Sequence, residues 1–291
     1  MSLFAEALLL GVLSGGLYAL TASGLTLIFG VMRVINIAHA AMIFLGAYLA
    51  WALLVQTGLD PLLAIVVLAV LFFIGGAALQ RGLLSVLVDR ELSLALLATL
   101  GVANIVEGME GVLWTTVSHS VNPPYADTTY HLGLLYVPLV RLLSFGVSLV
   151  LLLGLYLLLN RTKLGRAIRA TTQNRAVAQL VGVNVAQVTV IAVAIGIAVA
   201  GAAGPLVGMT YPFYPNTHWL WIGKLMAVVI LGGLGSFRGT LLAALVLGIA
   251  EQVTIIFLNP NWAAMVFFVL LFGVLIVRPQ GFFGTVGRES L

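Results

Sequence analysis

NRTKLGRAIRATTQNRAVAQLVGVNV, residues 160–185, is the one sustained polar stretch in an otherwise apolar chain. Between positions 161 and 175 it carries Arg161, Lys163, Arg166, Arg169 and Arg175 and no acid. Lysine and arginine in short loops mark the cytoplasmic side of a membrane protein, so this block sets the sidedness of everything around it. Outward from it the composition is 62% hydrophobic and only 8% charged over 291 residues, too little polar surface to cover a water-soluble globule. A soluble enzyme of this length is excluded. The net charge of +4 has its source largely in this loop and has a membrane explanation, which argues against a nucleic-acid partner. With no cysteine, disulfides and thiolate chemistry are excluded.

A helix needs about 20 mostly apolar residues to cross the roughly 30 Å hydrocarbon layer. Nine stretches qualify, near residues 4–29, 36–56, 61–80, 92–115, 137–159, 187–210, 219–236, 239–257 and 262–277, which predicts an all-α polytopic membrane protein of about 8–10 spans. The chain is read as one transmembrane domain over residues 1–291, with a cytoplasmic segment at about 161–185. Segments 30–39 and 232–239 read either as turns or as re-entrant breaks. Strands are implausible, because the runs lack the alternation of a lipid-facing barrel. The opening MSLFAEALLLGVLSGGLYAL has no basic leader and is read as the first span, not as a removed peptide. Counting outward from the basic block puts Arg33, Arg81, Arg90, Arg238, Arg278 and Arg288 inside as well, with the N-terminus outside and the C-terminus inside. Trp51, Trp114, Trp219, Trp221 and Trp262 all fall near expected outer ends, where indoles favour the interface.

Within the block, Asn174 is a good N-cap, Gly182 a good stop, and RAVAQLV between them places Val177, Leu180 and Val181 on one face with Arg175 and Gln179 on another. That predicts a two-turn amphipathic helix of roughly 10–12 Å, too short to stand alone. Arg166, Arg169 and Gln173 line one side of the preceding helical turn. Two readings of these arginines stand: they enforce topology and touch anionic headgroups, or they contact a soluble partner.

GRAIRATTQNRAVAQLVGVNV, then IAVAIGIAVAGAAGPLVG, GKLMAVVILGGLGSFRGTLLAALVLGIAE and RPQGFFG, together with the opening GGLYALTASGLTLIFGVMRVINIAHAAMIFLGAYLAW, resemble the permease subunit of branched-chain amino-acid ABC importers. The resemblance covers nearly the whole chain in the correct order, and its length resembles the shorter of the two paired permeases. It implies a homologous second permease, two cytoplasmic ATP-binding subunits, a periplasmic substrate-binding protein and residence in a bacterial inner membrane. It also implies that residues 164–183 dock in an ATPase cleft, with Arg166, Arg169, Asn174, Arg175, Gln179 and Gly182 at the matching positions. Reversing the charge of Arg166 and Arg169 together is then expected to abolish uptake. The chain holds no GxxxxGK[ST] loop, since GGLGSFRGT lacks both spacing and lysine, so ATP and Mg belong to partner subunits and no cofactor is expected here.

Ionisable residues inside spans persist only with a partner or a wet path. Asn104, Glu107 and Glu110 recur every third residue of the fourth stretch and read either as lining a translocation path or as a buried polar contact, within the chain or with the sister permease. The family more often has an amide near position 107. Asn36 and His39 sit at the break in VINIAHAAM and read as a gate or as a helix cap and an interhelical histidine, while Ala40 and Ala41 replace small and acidic residues common in the family. Lys224 and Glu251 match family positions in adjacent spans and form a candidate buried ion pair of structural role. Gly11 with Gly15 and Gly204 with Gly208 have the spacing of close helix packing. His119, His131 and His218 are placed in outer loops without metal geometry, and no catalytic set is recognisable. The expected substrate is a branched-chain amino acid, with urea, short amides and small organic acids as alternatives within the family. An ion-coupled secondary transporter or a channel is the alternative of another class.

Overall fold

The computed structural model describes residues 2–88, 92–132 and 135–283. Arg90 and Arg288 lie outside the described residues. In chain order the elements are α1 (Ser2–Met32), α2 (Ala38–Thr57), α3 (Pro61–Leu79), a π-helical turn (Gln80–Leu84) running into α4 (Ser85–Val88), and α5 (Leu92–Trp114). A hairpin of β1 (Thr129–Leu132) and β2 (Leu135–Pro138) leads to α6 (Leu139–Arg161), α7 (Lys163–Gln173), α8 (Arg175–Leu180) and α9 (Val185–Thr210). Then come α10 (Thr217–Gly232), α11 (Phe237–Phe257), a 3-10 turn (Pro260–Trp262) and α12 (Ala263–Val277). Among the described residues eight helices are long and apolar enough to cross a bilayer, and α10, with 16 residues, is a shorter apolar helix. Each of the nine apolar stretches thus holds a helix, and the third runs past its expected end through the π-helical turn.

Local chemistry sets the boundaries. Asp60 caps α3 by accepting from the Leu62 amide at 2.8 Å, with Pro61 beside it at the first helical position. Gly58 closes α2 in the left-handed region at φ 70°. Asn184 opens α9 by accepting from the Gln187 amide. The apolar runs are helical as expected; between α5 and α6 the chain adds a short antiparallel hairpin pairing Thr129 with Pro138 and Tyr130 with Val137.

Two sides are distinguished by contacts between distant loops. On one side Arg33, Arg169, Gln173 and Gly235 line a common cavity, Arg169 and Arg238 share another, and the Phe282 amide bonds the Leu231 carbonyl. On the far side His119 and Phe213 exchange backbone hydrogen bonds and the Tyr125 hydroxyl donates to Asp60. Burial, then the neighbouring Asp60 carboxylate, push that hydroxyl up to about 12. Among the described residues Arg33, Arg169 and Arg238 thus gather at one end of the bundle, with the Tyr125–Asp60 and His119–Phe213 contacts at the other. Arg141 is an exception that the charge count passed over, since it lies in the first turn of α6 on the far side.

Helix α9 is the centre of the bundle, packing against α1, α2, α3 and α6. Its Gly204 meets α2 so closely that a Cβ there would lie 2.5 Å from the Gly46 carbonyl carbon. Gly11 and Gly15 of α1 meet α11 in the same way, a Cβ at Gly11 falling 2.5 Å from Ile249 Cα, so both glycine pairs serve packing inside this chain. Between Gly232 and Phe237 the chain makes a tight turn using Gly233 at φ 96° and Gly235 at φ 80°. The other break is not a simple turn. From Met32 the chain doubles back, so that His39, the second residue of α2, lies beside Gly24, about 12 Å along α1 from its end.

Gly204→Val is expected to lower the thermal midpoint of the purified protein by several degrees, a loss of about 1–3 kcal/mol from overpacking, or to prevent its accumulation. Gly154→Ala, with open space around it, should leave the midpoint unchanged or slightly raised. Equal effects of the two would show that the α9–α2 approach is not limiting.

Candidate functional site

The basic segment folds as an elbow of two helices with different roles. Thr162 caps α7 by accepting from the Gly165 amide at 2.9 Å, and Asn174 caps α8 by accepting from the Val177 amide at 3.1 Å. Gly182 follows at φ 86°, its amide bonded to the Gln179 carbonyl. Helix α8 buries Ala178 and turns its large apolar side chains away from the protein: Leu180 is 86% exposed, Val181 72% and Val177 53%. Arg166 and Gln179 are exposed beside them.

Arg169 departs from the expected arrangement. Its Nη1 donates to the Leu159 carbonyl and, at 2.9 Å, to Asn160 Oδ1, closing the C-terminus of α6. It holds the elbow to the membrane helix, so a charge reversal there would break the elbow as well as any surface contact. Arg175 is half-buried, with Nη2 3.4 Å from Thr189 Oγ1 of α9.

At the central break His39 is fully buried and its Nε2 lies 2.9 Å from the Thr21 carbonyl. That oxygen can only accept, so Nε2 carries the proton and Nδ1 is left as an acceptor with no partner. Asn36 is 2% exposed and among the described residues neither end of its carboxamide has a partner. The Ile37 amide is tied to Thr99 Oγ1 of α5 at 3.2 Å. The break therefore concentrates unpaired polar atoms at mid-bundle, next to the close approach of Gly24 and Gly196.

Lys224 and Glu251 meet inside the bundle, Nζ to Oε1 at 2.6 Å. The Tyr18 hydroxyl donates to Glu251 Oε2 at 2.5 Å, and the Tyr211 hydroxyl, 3.2 Å away, donates in turn to Tyr18. The ammonium also stands 5.1 Å from the Phe267 ring centroid and 5.7 Å from that of Tyr18. Tyr18 and Tyr211 were not singled out from the sequence, since a tyrosine among aromatic core residues gives no signal of its own. Trp221 belongs to this cluster, 3% exposed with its ring 5.6 Å from that of Phe44, and is a core residue and not an interfacial one.

The three polar residues of α5 are not brought together on one surface. Asn104 is exposed, Glu107 half-buried and Glu110 wholly buried. Glu107 accepts from Trp219 Nε1 at 3.0 Å, and His218 Nε2 lies 3.7 Å from it. His218 is not a loop residue: it is the second residue of α10, fully buried, with Nδ1 committed to the Pro215 carbonyl. Among the described residues neither carboxylate oxygen of Glu110 has a hydrogen-bond partner, nor does the hydroxyl of Tyr48. Arg141, also missed from the sequence, is half-buried beside Ser14, Ser144 and Thr210, with Nη1 unpartnered. His119 lies among the rings of Trp51, Tyr48 and Phe213, its Nε2 on the Trp114 carbonyl.

Residues 7–275 match the family described as branched-chain amino acid transport system / permease component. The chain is 28% identical to the high-affinity branched-chain amino acid transport system permease protein BraD of Pseudomonas aeruginosa, covering 99% of this chain and 98% of that one. It is 28% identical to the corresponding permease protein LivH of Escherichia coli K12, with the same coverage. It is 30% identical to the probable branched-chain amino acid transport permease protein LivH of Methanocaldococcus jannaschii, over 94% of this chain and 90% of that one. No solved structure is significantly similar.

The Lys224–Glu251 contact makes a quantitative prediction. Lys224→Met alone strands a buried carboxylate and should cost about 3–5 kcal/mol of stability. Lys224→Met combined with Glu251→Gln, which still accepts from Tyr18, should cost less than the single change. Thermal unfolding of the three purified proteins measures this, and additive losses would mean that the two charges do not interact.

Proposed function

The chain belongs to the family of branched-chain amino acid transport system permease components, and from that premise we propose that it forms half of the transmembrane pathway of an ATP-driven importer for branched-chain amino acids. It is a multi-pass membrane transport subunit and not an enzyme. The substrate follows from the names of the full-length relatives. The remaining parts of the machine are a second, homologous permease, two cytoplasmic subunits that bind ATP and Mg, and a periplasmic protein that delivers substrate across the far side of a bacterial inner membrane.

The observation that carries the drive mechanism is the outward face of α8. Two large aliphatic side chains on a six-residue helix, with a third on the residue that ends it, are unfavourable in water and favourable in a cleft. Docking there by an ATPase uses Val177, Leu180 and Val181 as anchors, with Arg166 and Gln179 at the rim and Asn174 and Gly182 fixing the helix ends. Arg169 and Arg175 act one step behind, transmitting displacement of α8 to α6 and α9. Inward and outward access alternate as the bundle rocks around the break at Asn36 and His39, whose unpaired polar atoms find partners only when water or substrate enters. Glu107 and Glu110 line the outer half of that path, Asn104 faces the second permease, and Lys224 with Glu251 holds the wall.

Uptake of radiolabelled leucine into proteoliposomes tests the drive. It should need co-reconstituted ATPases and be blocked by vanadate; uptake without them would establish an ion-coupled carrier or a channel instead. Leu180→Asp should abolish uptake and lower ATPase association by at least about ten-fold, as for loss of a buried anchor, with membrane insertion intact; full transport by this variant removes α8 as the docking element. Glu110→Met removes a buried, unpartnered carboxyl and should raise the thermal midpoint by the equivalent of about 1–3 kcal/mol while slowing uptake. Unimpaired uptake by Glu110→Met would take Glu110 off the path.

A further inference from the structure

A cavity of about 830 Å³ opens on the basic side, between the π-helical end of α3 and the α8–α9 connection. Gln80, Arg81, Arg175, Gln179, Gln187 and Thr189 supply its polar wall, and among the described residues lining it none is acidic. Arg81 has no carboxylate partner among the described residues, and Arg175 has only the long contact to Thr189. The first turn of α9 forms part of the wall, so its free amides and helix dipole add positive potential. Gln80 is 2% exposed yet lines the cavity, and its Oε1 has no partner among the described residues, a buried polar group that calls for something to bond.

The third helix says where that something comes from. Leu63, Val66, Val70 and Ile74 are each more than half exposed and form one stripe along α3. Arg81 follows Ile74 by seven residues, two turns further on the same face. The lipid-facing stripe therefore ends on an arginine at the level where headgroups lie. We propose that this cavity holds the phosphodiester headgroup of an anionic membrane lipid, with Arg81 and Arg175 on the phosphate and the Gln80 carboxamide accepting from a headgroup hydroxyl. The acyl chains run along the stripe of α3. Since Arg175 belongs to α8, the headgroup pins the elbow to α3, and the anionic lipid becomes a structural link between the outward helix and the membrane. The proposal rests on the cavity and the α3 stripe and does not depend on the substrate; Arg175 and Gln179 border both this cavity and the proposed ATPase-docking face.

Native mass spectrometry of the purified full-length chain, titrated with dioleoylphosphatidylglycerol, dioleoylphosphatidylcholine or sodium phosphate, tests it. Phosphatidylglycerol should bind selectively, Arg81→Gln and Arg175→Gln should each weaken it roughly five-fold, and both together about thirty-fold. Lys163→Gln, an exposed basic residue outside the cavity, should keep wild-type binding. Arg81→Lys with Arg175→Lys guards against misfolding: it retains charge and should retain a measurable part of the selectivity. Equal binding of both lipids, or an equal loss in Lys163→Gln, overturns the site. Saturation by inorganic phosphate alone overturns the lipid assignment. Variants that keep lipid selectivity but lose association with the ATPase subunits would show that the cavity receives an acidic protein segment instead.

Discussion

Backbone contact at α9 is the constraint from which the rest follows. In lipid there is no hydrophobic force drawing one apolar helix to another, so tight assembly depends on how closely backbones approach. Gly196, Gly201 and Gly204 give α9 that closeness against α1, α3 and α2, where added Cβ atoms would strike Ile28, Phe72 and Gly46. With α9 so deep, α1 and α2 are held apart on either side of it, and the chain between them must double back into the bundle. The position of His39 beside Thr21 and Gly24 is a consequence of that wedge.

Polar groups inside the bundle then fall into two kinds. Lys224, Glu251, Tyr18 and Tyr211 form a closed set in which the ammonium faces a carboxylate and both hydroxyls find an acceptor, ringed by Phe267 and Trp221. Such a set stays put, because opening it would leave charge unpaired in a medium that cannot solvate it. Asn36, His39 Nδ1, Glu110 and Tyr48 form the other kind, open valences with no partner. They are stable only if some other arrangement, or a bound molecule or water, satisfies them. On the proposed function the closed set would serve as a wall that does not yield and the open one as a lining that gains partners when the path fills.

The sequence made the spans, the basic side and the caps legible because each depends on few residues at short range. Asn174 and Gly182 act on neighbours three residues away, and the apolar runs are set by bilayer thickness. What depends on rotation about a helix was harder to read. Residues three apart fall about 60° short of a full turn at each step, so Asn104, Glu107 and Glu110 drift from the exposed face to the buried one although their spacing looks regular. What depends on a partner far along the chain was invisible: Glu107 meets Trp219, and Tyr18 meets Glu251 across the whole sequence. Trp221, expected at the interface, and His218, expected in an outer loop, depend on distant or local partners in the same way: Trp221 is buried against the rings of Tyr18, Phe44 and Tyr211, and His218 is turned inward by its bond to the Pro215 carbonyl.

The elbow shows how a short surface helix can act on so deep a core. Helix α8 alone has too few residues to resist displacement, yet it is joined at Asn174 to α7, and α7 is bound to α6 through Arg169 at the Leu159 carbonyl. Thr172 of α7 lies close against Gly30 of α1, and Gly30 touches Gly235 in the turn between α10 and α11. Arg175 reaches Thr189 in the first turn of α9. Helix α8 is therefore joined to α9 directly at Arg175 and to α6 and α1 by way of α7, and α1 and α9 flank the break that carries Asn36 and His39. Because packed helices shift as units and do not deform continuously, a displacement of α8 by the proposed ATPase partner would be passed on as a tilt of α1 against α9. Such a tilt would alter the contact of Gly24 with Gly196, beside His39, whose Nε2 is held by Thr21 and whose Nδ1 has no partner among the described residues.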